Sequence, residues 1–214
     1  MSNTVVVVGH GLTPEGKGWG SKIDACDVVI RMWNWAPWQN AHDYGVRYDY
    51  GFYEISPTEM NRLYTHNCRT PKYGWVATRL RKPFEGELLP DTEVVDSSRW
   101  EREAMAMGGL GLKGNLILTR GVRMAAWAME RLSVGDRMVL VGFDNVYTGR
   151  TLSSKEGFPQ VFIDCPAGYP MHRYDSAVQT ATKLGNHDYA VEGPFLAKVA
   201  ARTGVDLVHA QDCW

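Results

Sequence analysis

Long hydrophobic runs are missing from this chain: stretches such as Val5 to Val8 and Met138 to Val141 fall far short of the ~20 residues a membrane span requires. The opening Met1-Ser2-Asn3-Thr4 has neither the charged nor the apolar region of a signal peptide, so no membrane association is expected. An excess of either charge is missing too. Across 214 residues, 23 Lys and Arg stand against 24 Asp and Glu, a formal charge of −1. That balance argues against a protein that holds nucleic acid by bulk electrostatics, while leaving room for a local basic patch. Cysteine is sparse and scattered. Cys26, Cys68, Cys165 and Cys213 form no CxxC or CxxxC pair, which argues against a disulfide framework or a zinc site and points to a reducing, cytoplasmic setting. No repeat, low-complexity tract or linker interrupts the chain, so a single domain over residues 1–214 is expected.

Aromatic residues are plentiful by contrast, with eight Trp and ten Tyr, several in turn-like segments where rings can stack on sugars, bases or peptides. The alternative use of each is simply to fill the core. Thr4 to Val8 reads as a buried parallel strand ending at Gly9-His10-Gly11. A short helical turn at residues 21–25 and a strand over 27–32 follow. Further strands are expected at 48–53, 74–80 and 93–96, then a helix over 98–107 with Ser97 or Ser98 as N-cap and Glu101 as its capping-box partner. The second half reads as strand 115–118, helix 121–132 and strand 137–143, a β-α-β unit. Strand 160–164, helices 175–184 and 188–202, and strand 205–208 complete the pattern.

Strand, glycine loop and strand at the start invite a dinucleotide-binding reading, but Gly9-His10-Gly11 lacks the third glycine of GxGxxG. Gly16-Lys17-Gly18 likewise lacks the Gly-Lys-Ser/Thr ending of a phosphate-binding P-loop. A glycine-rich turn after a first parallel strand can still cradle a nucleotide through its backbone N–H groups.

Residues 5–37, VVVVGHGLTPEGKGWGSKIDACDVVIRMWNWAP, resemble the large sialylmotif of the animal-type sialyltransferases, through Val7, Val8, Gly9, Gly18, Gly20, Ile23, Asp24, Asp27, Val29, Ile30, Arg31 and Pro37. Residues 118–144 resemble the small sialylmotif, with Thr119, Gly121, Ala125, Leu132, Val141, Gly142 and Phe143 as carriers. His172-Arg173-Tyr174-Asp175 is similar to the third motif, and His187 with Glu192 gives the H-x4-E of the very small motif. The four stand in the family's order. The resemblance implies a Rossmann-like α/β fold of GT-A-like type, a mostly parallel sheet flanked by helices. It further implies a CMP-sugar type donor, metal-independent inverting transfer to an acceptor hydroxyl, and no cofactor or metal ligand. His187 becomes the base, a role suited to a histidine titrating near neutrality, and Glu192 its orienting partner. Donor binding falls to Gly9, His10, Gly11, Asn34, Thr119, Arg120, Gly121, Gly142, Phe143, His172 and Tyr174.

Departures from the pattern bear on the substrates. His10 replaces the usual Asn, Asn34 matches only with a shift of one residue, and the family's cysteine that would bridge the large and small motifs is absent from the end of the small-motif helix, Arg131 to Asp136. Trp33, Trp35 and Trp38 follow the second strand, where a parallel sheet places its ligand crevice, and are the acceptor-binding candidates. Arg69, Lys72, Arg79, Arg81 and Lys82, interleaved with Tyr73 and Trp75, could track phosphates. Three readings follow: a transferase acting on a glycan or small molecule, the same scaffold acting on a hydroxymethylated pyrimidine of phage-type modified DNA, and a catalytically silent nucleotide- or glycan-binding module. Arg31 is expected to pair within the fold.

Overall fold

The computed structural model describes residues 2–9, 11, 13–32, 41–55, 70–79, 87–108, 118–143, 146 and 189–214. Strand β1 (Thr4–Val8) contributes four buried valines whose side chains alternate between the two faces of the sheet. It is flanked in parallel by β2 (Val28–Met32) and β6 (Arg137–Val141), with Val5 opposite both Val28 and Met138. Beyond β2 lie β3 (Tyr50–Ile55), β4 (Gly74–Arg79) and β5 (Thr92–Val95), and beyond β6 lies β7 (Asp206–His209). The seven strands run in the order β5-β4-β3-β2-β1-β6-β7, every neighbouring pair parallel. This is the expected Rossmann-like α/β sheet. A parallel sheet must be covered on both faces, which explains why its central strands are continuous β-branched runs.

Helices α1 (Gly20–Ala25) and α2 (Ala41–Tyr44) cover one face, with Ile23 and Tyr44 packed on Val6, Val8 and Val29. On the other face α3 (Ser98–Ala106), α4 (Arg120–Met129) and α5 (Tyr189–Thr203) enclose Val5, Val7, Ile30, Phe52 and Leu140. A short α6 (Ala210–Cys213) returns to the first face, where Trp214 meets Trp19 edge-on at 5.8 Å. Trp19, Trp75, Trp100 and Trp127 are all buried, so these four tryptophans serve the core. Among the described residues no helix is long and apolar enough to cross a membrane.

Several expectations are corrected. Strand β3 begins two residues later than expected, because the Asp49 carboxylate accepts the Val29 N–H at 2.9 Å and the Arg47 guanidinium at 2.8 Å. The N-terminus of α3 carries no Ser97 side-chain cap. Asp96 instead accepts the Ser98 N–H at 2.9 Å and the Ser98 hydroxyl at 3.0 Å, so a carboxylate one residue earlier engages the start of the helix. Glu101, expected in a capping box, points inward and accepts the Leu118 N–H at 3.2 Å. Helices α2 and α6 were not expected. Of strand 115–118 only Leu118 is described, and it lies in a bend; strand 160–164 and helix 175–184 fall outside the described residues.

Candidate functional site

Chain order reverses between β1 and β6: from β1 the sheet grows outward through β2 to β5, then restarts on the other side with β6. In an open parallel sheet such a switch point leaves a crevice beyond the carboxyl ends of the two strands, because their following segments diverge to opposite faces. Gly9 and Gly11 follow β1, and Gly142 and Phe143 follow β6. The Gly9 N–H donates to Val141 O at 2.7 Å and the Gly11 N–H to Gly142 O at 2.8 Å, so the two segments stay joined past the strand ends. Their approach depends on the missing side chains. A Cβ on Gly9 would stand 2.6 Å from Gly142 O, and Gly142 itself has φ +66°, a conformation that favours glycine.

Helix α4 starts beside this pair. Gly121 lies against the Phe143 ring, where an added Cβ would be 3.3 Å away. Thr119 is the N-cap of α4 and accepts the Val122 N–H on its hydroxyl. The Thr119 N–H donates in turn to Glu192, whose carboxylate is wholly buried on α5. Eight expected site residues are described, and seven of them, Gly9, Gly11, Gly142, Phe143, Gly121, Thr119 and Glu192, are linked in this way. The eighth, Arg120, opens α4 and reaches Glu54 on β3 at 3.3 Å. His10, Trp33, Asn34, Trp35, Trp38, His172, Tyr174 and His187 lie outside the described residues.

The glycine-rich loop is organised differently from a phosphate cradle. Both the Gly16 and Gly18 N–H groups donate to the Asp43 carboxylate at 2.8 Å, so α2 holds the loop with a protein anion. Gly20 permits contact with that same helix, since a Cβ there would stand 2.0 Å from Ala41 O. Tyr44 of α2 donates its hydroxyl to Gly11 O at 2.8 Å, and the Tyr44 carbonyl accepts from Arg31 at 2.7 Å. Arg31 is fully buried and lies 3.8 Å from Asp24, a pairing within the fold as expected. Burial pulls its pKa down to about 9 against the opposing pull of Asp24, so it stays charged at neutral pH. Asp24 and Asp27 act on backbone: Asp24 accepts from the Val46 and Arg47 N–H groups, and Asp27 from Thr4 N–H at 2.7 Å.

Two residues of the basic stretch lie within the described residues. Lys72 precedes β4 and Arg79 ends it, which places their backbones at opposite ends of that strand, about 23 Å apart. Lys72 covers the Tyr73 ring at 4.5 Å, while Trp75 is buried against Tyr48 and Tyr53. Arg69, Arg81 and Lys82 lie outside the described residues. A cavity of about 260 Å³ beside Lys72, Tyr73 and Asp91 opens at the amino ends of β4 and β5, away from the switch point. Among the described residues no group of His, Cys, Asp or Glu side chains is arranged to hold a metal ion.

Sequence reading missed Asp43, Tyr44 and Glu54, which act through contacts distant in sequence. It also missed His209 at the carboxyl end of β7, whose pKa burial lowers while Asp212 opposes the shift. Comparison with known proteins finds no matching family model and no matching curated protein. Among solved structures, the chain is similar to a mammalian sialyltransferase at 14% identity and TM-score 0.52, and to a mammalian sialyltransferase in complex with Gal-beta-1-3GalNAc-ortho-nitrophenol at 13% identity and TM-score 0.51. Each match covers 97% of this chain and 69% of the other, so the chain shares the fold of those sialyltransferases along nearly its whole length.

Proposed function

We propose that the chain, as one domain, is a glycosyltransferase that moves a sugar from a nucleotide donor of the CMP type to the hydroxyl of a glycan or small-molecule acceptor, with inversion and without a metal. The observation that carries this reading is the meeting of Gly9, Gly11, Thr119, Gly121, Gly142, Phe143 and Glu192 at the switch point. These residues come from three separate sequence motifs, and the fold that unites them is that of sialyltransferases.

In this mechanism the acceptor oxygen attacks the anomeric carbon as the bond from that carbon to the phosphate oxygen breaks. His187 takes the acceptor proton, and the nucleotide leaves with the electron pair of the broken bond. His172 and Tyr174 donate hydrogen bonds to the departing phosphate, where negative charge develops. Glu192 is a positioning residue, since its carboxylate is engaged with the Thr119 backbone.

A thermal-shift series with CMP, CDP, UMP, UDP, GDP and dTDP, with and without Mg²⁺, tests the donor. A ligand at 100 times its dissociation constant stabilises a protein by about 2.7 kcal/mol. A metal-independent shift with CMP is expected; a shift with UDP or GDP that requires metal overturns both the donor and the mechanism. His187→Ala is expected to abolish turnover and retain donor binding. Retained turnover removes His187 as the base.

A further inference from the structure

Tyr44 closes α2 and is fully buried against Val6, Val8, Ile23 and Val29. A phenylalanine would fill that space equally well. The hydroxyl therefore needs its own explanation, since burying one is costly unless it is bonded. It donates to Gly11 O at 2.8 Å, across 33 positions of sequence, in the segment that leaves the carboxyl end of β1.

Gly11 is gripped from two sides. Its N–H donates to Gly142 O at 2.8 Å, on the β6 side of the crevice, and its carbonyl accepts from Tyr44, on the side of α2. Gly142 also rests on Gly11 itself, because a Cβ on Gly142 would stand 3.0 Å from Gly11 N and 3.1 Å from Gly11 O. Tyr44 is in turn anchored from behind. Its carbonyl accepts from the buried Arg31 guanidinium at 2.7 Å, and the same guanidinium donates to Arg47 O at 2.7 Å. The preceding residue, Asp43, is bonded to the Gly16 and Gly18 N–H groups. The phenol thus reaches Gly11 from a backbone that the core already fixes.

We propose that Tyr44 is a positioning residue of the switch-point crevice, whose hydroxyl holds Gly11 against Gly142 before the donor arrives, so that the nucleotide meets a finished wall. This rests on the nucleotide-sugar reading above, and Tyr44 lies outside the segments that carry the family resemblance. A site whose competent form is partly populated binds more weakly by that fraction, and ordering a loop during binding consumes affinity. The Tyr44 hydroxyl keeps the competent fraction high.

Amide hydrogen exchange and calorimetric titration with CMP test the proposal in wild type and Tyr44→Phe. In wild type the Gly11 amide is expected to be equally protected with and without CMP. Tyr44→Phe keeps the ring in the core. There, Gly11 exchange is expected to accelerate without CMP and to slow again when CMP binds, while the Val6 and Val139 amides stay slow in both proteins. CMP affinity is expected to fall about two- to tenfold, the equilibrium weight of one hydrogen bond. A tyrosine that merely stabilised the fold would raise exchange across the whole sheet and leave the CMP affinity of the folded protein unchanged, and that result overturns the proposal. A wild-type Gly11 amide that becomes protected only when CMP is added overturns it with no variant needed, so the test stands even if Tyr44→Phe fails to fold. Wild-type protein that binds no CMP overturns the donor reading and the role given to Tyr44 in it, whereas CMP binding with unmoved Gly11 exchange in Tyr44→Phe overturns this inference alone.

Discussion

The backbone N–H of Thr119 donates to the wholly buried carboxylate of Glu192, across 73 positions of sequence. This bond ties the cap of α4 to the first turn of α5. A buried charged acceptor with such a partner is costly to remove. Glu192→Ala is expected to destabilise the protein by about 1–3 kcal/mol and Glu192→Gln by less, since the amide keeps an oxygen for the same N–H. Urea midpoints at constant slope measure both. Equal stability of wild type and Glu192→Ala would remove the bond from the account of the site.

Gly142→Ala tests the junction of the two strand ends. The substitution forces a side chain onto a residue at φ +66° and places a Cβ 3.0 Å from Gly11 N and 3.1 Å from the Gly9 and Gly11 carbonyl oxygens. The left-handed conformation alone costs about 1–2 kcal/mol with a side chain present. A loss of at least that size in equilibrium unfolding is expected, together with weaker CMP binding. Gly135→Ala is the matched control. It has φ +87° with open space at its Cβ, so it carries the conformational cost without the collision.

Asp43 fastens the glycine-rich loop, and its removal is visible at single amides. In Asp43→Ala the Gly16 and Gly18 N–H groups lose their carboxylate acceptor. Their hydrogen exchange is expected to accelerate while that of the Val6 and Val139 amides, deep in the central sheet, stays slow. Unchanged exchange at Gly16 and Gly18 would show that the loop is held by something other than Asp43.

Acid stability depends on Asp136. The N–H groups of Asn3 and Ser133 donate to its carboxylate at 2.8 and 2.9 Å and hold its pKa below the ordinary 3.8. A carboxyl group depressed in the folded state contributes stability above its unfolded pKa and loses it as pH falls through the folded value. Stability should therefore decline from about pH 3.8 downward, and Asp136→Asn should flatten that part of the curve. Parallel curves for the two proteins in chemical unfolding below pH 4 would count against this assignment.

Central strands and α4 were legible because their physics is local. A run such as Val5 to Val8 has one stable destination, the middle of a parallel sheet, and the Ala- and Met-rich helix after Thr119 packs all round. Helices α2 and α6 were not legible, because four residues are too few for a helical period to show in the pattern. Much of the candidate site could be read from its glycines, since close backbone approach leaves a mark in the residue type itself. Asp43 and Glu54 leave no such mark. Each is one acidic residue in an ordinary segment, and its role arises from amides or guanidinium groups brought to it by the rest of the fold. Glu54 is the harder case: in Tyr50–Ile55 it looks like the polar member of an alternating strand, yet its face of the sheet is covered by α4.

The pairing of β1 with β6 also sets an order of assembly. Asn3 and Asp136, which meet at the amino end of that pair, are 133 positions apart, so one edge of the Thr4–Val8 strand has no native partner until β6 has been made. At bacterial or eukaryotic elongation rates that interval is on the order of ten seconds. During it a β-branched edge stands open beside the already available β2, the kind of surface that recruits chaperones or a second nascent chain. The strand at the centre of the finished sheet is thus fully paired only once β6 has been made, and production of the protein should respond to chaperone supply more than its final stability would suggest.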